Sequence, residues 1–496
     1  MVADSPGHGV GDRRGDGAWV GRSRPVSPPP QPPVEAAGRP ARALLVVAGL
    51  MSLGYGAELL IDLVAPRTDE IEPRIGLFAP LTPDLPRVVF WAVIASWVLA
   101  PLAGLVCHRV ARWRGAAQPV AAAVLLAPFT VMPVAFLARG VPQLLACLPS
   151  TGIALWGVHT LLRRFHRPPA WTTLAAFGWG ALVAGGFAGA MNVWFTTYAL
   201  GIFGTDGRFR LPHEALTLAF LHGAAVEELG KAAGVALAFA VLRHRLAGVA
   251  TGTLLGAAVG LGFNLSESVE YMSNAQNAGV QYWMRQSVGI MAAHTAFTAL
   301  AGAGIAASRS LPPGAWRRVV VASGLVAASL AHFASNMVFH WLGVAPYDWL
   351  RPSPTVSALL VQPLALVVVQ GPVVATYLVL LRRGLRTQAA DLAVVLREEA
   401  ETGLGAILPA EVPVLLSPAR RLRFRGAVLL RYGVAGYRHA GRLHAAQLDL
   451  AECRRYQADS GVADPVREER LRERVRQVKR RWPVGASVAD ARTVTR

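Results

Sequence analysis

The sequence predicts an all-α polytopic membrane protein with about ten transmembrane helices and a cytoplasmic helical tail. Three observations carry this. Hydrophobic residues make up 53% of the 496 residues and charged residues 16%, where ordinary soluble domains carry about a quarter charged. Mean hydropathy is +0.39, and whole segments of twenty or more residues contain no charge. The 49 Lys and Arg outnumber the 30 Asp and Glu, for a net charge of +19, so the basic surplus sits between apolar runs, as in a membrane-spanning chain. This composition argues against a soluble cytosolic enzyme. Cys107, Cys147 and Cys453 are far apart, with no C-x-x-C spacing, so neither a disulfide framework nor a thiolate zinc site is suggested. A metal here would need His and carboxylate ligands.

Residues 1–42 are rich in Pro, Gly and Arg, a composition that cannot bury enough apolar surface to fold, and are expected to form a disordered cytoplasmic tail. The apolar run after them is too long for a signal peptide and lacks a small-residue cleavage site. A membrane domain is expected over 43–383. Its ten apolar stretches lie at 44–64, 88–106, 120–137, 144–162, 174–195, 216–242, 249–269, 288–307, 319–341 and 356–381, each near the length of about 20 residues that a bilayer core requires. Arginines collect in alternate loops: Arg109, Arg112 and Arg114; Arg163, Arg164 and Arg167; Arg243 and Arg245; Arg309, Arg317 and Arg318; Arg382, Arg383 and Arg386. The first intervening loop carries Asp69, Glu70, Glu72 and Asp84. Because basic loops stay inside, both termini are expected in the cytoplasm, and an even number of spans satisfies this.

The remaining region, 384–496, is expected to be basic and cytoplasmic; from Arg382 onward the chain holds 23 Lys and Arg against 13 Asp and Glu. Its charged stretch 467–481 reads as a helix ending before Pro483. A solvated helix touching anionic lipid headgroups is favoured over nucleic-acid binding, since no aromatic stacking pattern accompanies the charge.

Charged residues inside a bilayer are costly and usually functional. The sixth stretch holds Glu227-Glu228-x-x-Lys231 near its middle; the lysine lies angularly between the two glutamates and can neutralise one of them. The seventh holds Gly260, Gly262, Asn264 and Glu267, the last two on one face and the glycines permitting close helix packing. Glu270 is expected in the interface. The eighth carries His294 and Thr298 on one face, with Gly302 beyond; the ninth carries His332, Asn336 and His340 at spacing four. With 1.5 Å of rise per residue, Glu227, His294, His332 and Asn336 fall roughly 8–16 Å below one membrane surface, and Glu267 only a few ångströms below it. Outside this set, His222 points about 120–140° away from the glutamates and is assigned to packing or an interhelical bond. Glu58 and Asp62 are assigned to the interface. His213-Glu214 lacks the second histidine of H-E-x-x-H.

In order, Glu227-Glu228-x-x-Lys231, Gly262-Phe263-Asn264-x-x-Glu267, His294 with Gly302, and His332 resemble the PrsW family of intramembrane proteases. The paired glutamates and His332-x-x-x-Asn336 more distantly resemble the CAAX-protease and bacteriocin-processing superfamily. The resemblance covers about 216–341, within a motif-bearing core of 213–343. It implies a membrane-embedded peptidase in the plasma membrane of a bacterium, acting on a membrane-anchored protein substrate such as an anti-sigma factor. Carried over, Glu227 and Glu228 become the catalytic glutamates, and Glu267, His294 and His332 complete the centre. Ser268 stands where the family commonly has Asn.

Two chemistries fit these residues. In one, Glu267, His294 and His332 hold zinc and Glu227 or Glu228 deprotonates a water that the metal makes acidic. In the other there is no metal: a buried glutamate activates water directly and Asn336 steadies the oxyanion. Glu227 is the first choice for general base. Two other classes compete: a proton-coupled secondary transporter using the same carboxylates and histidines, for which no internal repeat is evident, and a non-catalytic membrane scaffold. Partners expected are the protein substrate and the lipid bilayer.

Overall fold

The structure is a computed structural model describing residues 34–64, 85–165, 167–203, 213–242, 246–274, 277–349, 352–460 and 463–482. Of the tail expected to be disordered over 1–42, residues 1–33 lie outside the described residues, as do the acidic loop with Asp69, Glu70, Glu72 and Asp84 and the pair Arg243 and Arg245, whereas residues 34–42 are helical, the start of the first helix. The chain divides after Gly38, and the bundle belongs to Arg39–Arg496. Among the described residues every regular element is helical, so the fold is all-α.

The helices run in order α1 (Val34–Val64), α2 (Leu85–Arg109), α3 (Ala117–Arg139), α4 (Val141–Leu162), α5 (Trp171–Gly178), α6 (Gly185–Phe203), α7 (His213–Val241), α8 (Val249–Asn274), α9 (Ala278–Tyr282), α10 (Ala293–Ser308), α11 (Ala315–Trp349), α12 (Pro354–Val356), α13 (Gln362–Glu401), α14 (Val412–Leu416), α15 (Pro418–Ser460) and α16 (Pro465–Arg480). A π-helical turn, Trp179–Ala184, joins α5 to α6. Among the described residues, nine helical segments are long and apolar enough to cross a membrane. The one expected span outside these nine, the sixth, is α7, which has the length, 29 residues. What lowers its hydropathy is the trio Glu227, Glu228 and Lys231 at its centre. It packs against α6, α8, α10 and α11, so its charges face helices and not lipid. The outer helices show lipid the opposite character, exposing Leu50, Leu53, Trp91, Ile153, Trp156 and Leu330.

Helix α8 is the axis of the bundle, with almost every side chain from Ala250 to Met272 buried. Its small residues make this possible. A methyl group at Gly252, Gly256 or Gly260 would lie 2.2 Å from the carbonyl oxygen of Gly302, Thr298 or His294 respectively. The stripe at spacing four therefore lets the α10 backbone rest directly on α8.

The eighth expected span, 288–307, is discontinuous. After α9 comes a π-helical turn, Trp283–Val288; the chain then breaks, with Ala292 extended (φ −98°, ψ −152°) and Ala293 at φ 41°. His294 thus lies in the first turn of α10 and not in mid-helix. Irregular backbone at membrane depth survives only where protein satisfies it. Here Ala293 N–H donates to Gln370 Oε1 (3.0 Å), and Gln370 Nε2 donates to Ser335 Oγ (2.9 Å).

Helix α13 runs 40 residues and carries the chain past residue 384 without a linker. Beyond it, α14 and α15 pack on its end around Leu392, Leu396, Ile407, Leu415 and Leu448, and α16 packs on α15. The charged stretch 467–481 is helical in α16, but its inner face is not solvated: Val475 and Arg472 are buried, and Arg472 holds the buried Glu399 through Nε (2.8 Å) and Nη2 (3.0 Å).

Candidate metal centre

Glu227, Glu228 and Lys231 share the inner face of α7 because spacings of three and four bring side chains together. Lys231, fully buried, donates to Glu227 Oε2 (3.1 Å), Glu228 Oε1 (2.9 Å) and His294 Nδ1 (2.9 Å), with its ammonium 3.6 Å from the Phe263 ring centre. One lysine thus bridges both glutamates, where the sequence suggested neutralisation of one.

These contacts fix the histidine tautomers. An ammonium only donates, so His294 Nδ1 accepts and its Nε2–H donates to Glu267 Oε2. A carboxylate only accepts, so His332 Nδ1–H donates to Glu228 Oε1 (3.2 Å), leaving the lone pair on Nε2. That atom lies 3.7 Å from Glu227 Oε2, and His294 Nδ1 lies 3.9 Å from the same oxygen. Each imidazole is backed by its own carboxylate, and the ring nitrogens on the opposite sides, His294 Nδ1 and His332 Nε2, converge on Glu227. Thr298 Oγ1 donates to Glu228 Oε2 (2.9 Å), and Phe297 stacks on His332 at 5.1 Å.

Glu227, His294 and His332 each offer a ligand atom, all within 4.8 Å of one another. Two imidazoles and one carboxylate suit zinc with an open position, whose ligand atoms stand about 3.3 Å apart at tetrahedral angles; closing the observed separations takes small side-chain movements. Charge points the same way. The three carboxylates Glu227, Glu228 and Glu267 share two cations, Lys231 and Arg285, and buried negative charge is costly unless a cation or proton offsets it. The residues present fit a divalent ion.

Glu267 sits on the far side of His294 from Glu227, also bonded to Arg285 Nη1 (2.9 Å). The structure therefore groups Glu227, and not Glu267, with the imidazoles. Glu267 lies deeper than its sequence position suggested because α8 continues to Asn274. Glu270 is buried within the bundle. Asn336, half-buried one turn along α11 from His332, makes no hydrogen bond to the cluster among the described residues. Ser268 accepts from Gln286 Nε2 (2.9 Å), away from the centre. His222 pairs with Glu58 (3.3 Å) and stacks on Phe195, so Glu58 is turned towards α7; the side chains of Asp62, His213 and His340 lie outside the described residues.

A narrow cleft opens against Glu227 between α3, α6 and α8, lined also by Asn192, Ser266, Glu267 and Glu270. Asn192 Nδ2 donates to Glu227 Oε1 (3.4 Å), while its own Oδ1 is buried without a hydrogen-bond partner. Asn192 is an addition from the structure: a single amide in an apolar run carries no motif signal.

The model of the PrsW family intramembrane metalloprotease matches residues 168–376. No curated protein and no solved structure matches the chain. The match takes in α5 through the first turns of α13, wider on both sides than the motif-bearing stretch, and includes every residue of the cluster and Asn192. With buried glutamates and imidazoles converging inside a membrane bundle, residues 168–376 are a PrsW family intramembrane metalloprotease domain.

Proposed function

We propose that the chain hydrolyses a peptide bond, in or near the bilayer, of a membrane-anchored protein substrate such as an anti-sigma-factor-like regulator. In this reading Glu227, His294 and His332 hold a divalent ion, zinc by its donor set. The observation that carries the reading is the convergence of Glu227 Oε2, His294 Nδ1 and His332 Nε2 beside a cleft. An ion held there polarises the scissile carbonyl and makes water acidic.

The chain's own groups do the rest. Glu228 and Glu267 fix the tautomer and orientation of His332 and His294. Asn192 positions the cleft-facing oxygen of Glu227. Glu270 lines the cleft beside Glu227. The arginine-rich loops support an orientation with both termini in the cytoplasm, and the family resemblance supports a bacterial plasma-membrane location.

One observation favours the metal-free alternative: Lys231 already engages Glu227, Glu228 and the lone pair of His294 that an ion would use. There Glu227 is the base. Co-expression with candidate single-span proteins, with fragments identified by mass spectrometry, tests the activity. Glu227→Gln and Glu228→Gln should each abolish cleavage at normal expression, and full activity in both would overturn the proposal. Loss of activity on chelation, restored by zinc, selects the metal reading; indifference to the chelator selects the other.

A further inference from the structure

Outside the protease cluster, a group of cationic side chains lies where α4 leaves the membrane domain. Arg164 and Arg167 follow α4, which ends at Leu162. Arg421 and Arg425 are one turn apart near the start of α15. His444 comes from the far half of that helix, which Gly433 (φ 66°, ψ −167°) divides into two helices. In a straight helix Phe424 and His444 would be about 30 Å apart; their rings are 5.4 Å apart, so the two halves form a hairpin that brings Arg425 and His444 together.

Arg421 Nη2 donates to the carbonyl of Arg164 (2.8 Å), joining the hairpin to the end of α4. Arg425 lies 4.1 Å from the Tyr437 ring. The nearby carboxylate, Asp449, is taken by Arg167 Nε (3.3 Å) and faces Arg474 (3.8 Å). No ion pair reaches Arg164, Arg421 or Arg425 among the described residues. The Nε atoms of Arg164 and Arg425 and Nδ1 of His444 are each buried without a hydrogen-bond partner, an arrangement native proteins avoid unless something satisfies it.

The electrostatics agree with the geometry. Burial, then Arg421 and Arg425, pull the His444 pKa down to about 4. Burial, then Arg164, Arg167 and Arg425, pull that of Arg421 down to about 10. A cluster of guanidinium groups with unused donors matches the oxygens of a phosphate group. Arg164 stands two residues past a membrane span, at the level where lipid headgroups lie.

We propose that Arg164, Arg167, Arg421, Arg425 and His444 form a binding site for a phosphate group, carried either by an anionic lipid headgroup at the end of α4 or by a phosphorylated solute. Occupancy satisfies the orphaned donors and fastens the α15 hairpin to the membrane domain. The site is separate from the protease cluster, so its test does not depend on catalysis.

The full-length protein in neutral detergent is heated with inorganic phosphate, with chloride of equal ionic strength, and with micelles containing phosphatidylglycerol or phosphatidylcholine. Near saturation the matching probe raises the unfolding midpoint on the order of 4 °C. Gain from inorganic phosphate identifies a solute site; gain from phosphatidylglycerol alone identifies a headgroup site. The gain should vanish in Arg421→Gln/Arg425→Gln and persist in Arg420→Gln/Arg423→Gln, which removes equal charge from exposed positions of the same helix. Arg164→Gln, which keeps the carbonyl that Arg421 uses, should weaken the gain and serves if the first double variant fails to fold. No gain in the wild type from either probe, or equal loss in both double variants, overturns the site.

Discussion

Replacing Glu267 with Gln separates two ways of building the ion site. If Glu267 is a ligand, as the motif order suggests, Glu267→Gln should be as damaging as losing a histidine. The structure instead has Glu267 accepting from His294 Nε2–H, behind the ring, with Glu227 Oε2 beside His294 Nδ1 and His332 Nε2. Removing a carboxylate that only orients a ligating histidine costs about 10–100-fold in metal affinity, or about 1.4–2.8 kcal/mol. The substitution also weakens the bond to Arg285, which keeps Gln281 Oε1 (3.3 Å) and the Tyr271 ring (3.9 Å), so the stability cost stays at about 1–3 kcal/mol. Glu227→Gln should lose more than about 100-fold, because a primary donor becomes neutral. Competition with a zinc-sensitive chelating dye measures both affinities in purified protein, with thermal unfolding to verify the fold. A larger loss for Glu267→Gln than for Glu227→Gln would refute the structural assignment.

Gly260→Ala places a methyl 2.2 Å from the His294 carbonyl oxygen and should cost about 1–3 kcal/mol by overpacking, with cleavage falling as α10 shifts; Gly157→Ala, with nothing within 4 Å, should be neutral or stabilise by up to about 1 kcal/mol. Thermal unfolding beside a cleavage assay compares them. Asn192→Ala removes the bond to Glu227 Oε1 and should lower kcat about tenfold or more, the worth of one hydrogen bond to a charged group, with KM little changed; an effect confined to KM would make Asn192 a substrate contact. In phosphate-free buffer, the α15 hairpin should lose stability on acidification. The His444 pKa lies near 4 in the folded chain against about 6.5 unfolded, so its contribution is full above pH about 6.5 and lost as pH falls towards 4, up to about 3 kcal/mol. Hydrogen exchange over the hairpin reads this slope, and His444→Phe should flatten it; a wild-type hairpin that grows more stable in acid would contradict the reasoning.

The membrane architecture was legible because apolar run length is a local property, and nine candidate spans emerge among the described residues. The motif residues were legible for the opposite reason: charges in apolar runs stand out. Helix α7 joins the two signals, since Glu227, Glu228 and Lys231 mark the site and also lower the hydropathy of the helix carrying them. Depth arithmetic placed Glu267 too shallow because α8 runs on to Asn274, which no breaker in the sequence announces. The break before α10 was equally hidden, being held by the Ala293 bond to Gln370 from a distant helix. The fold of the basic C-terminal region depends on burying Glu399 against Arg472 and Arg454, partners that composition counts as surface charge.

By itself the sequence determined that this chain crosses a membrane many times and carries carboxylates and imidazoles on separate spans, because hydrophobicity and charge are written residue by residue. Only the tertiary structure decided which carboxylate faces the imidazoles and which stands behind them. Glu227 and Glu267 are chemically identical, and what separates them is the side of the His294 ring that each approaches. That is fixed by the glycine-lined contact of α8 with α10 and by the broken turn that begins α10.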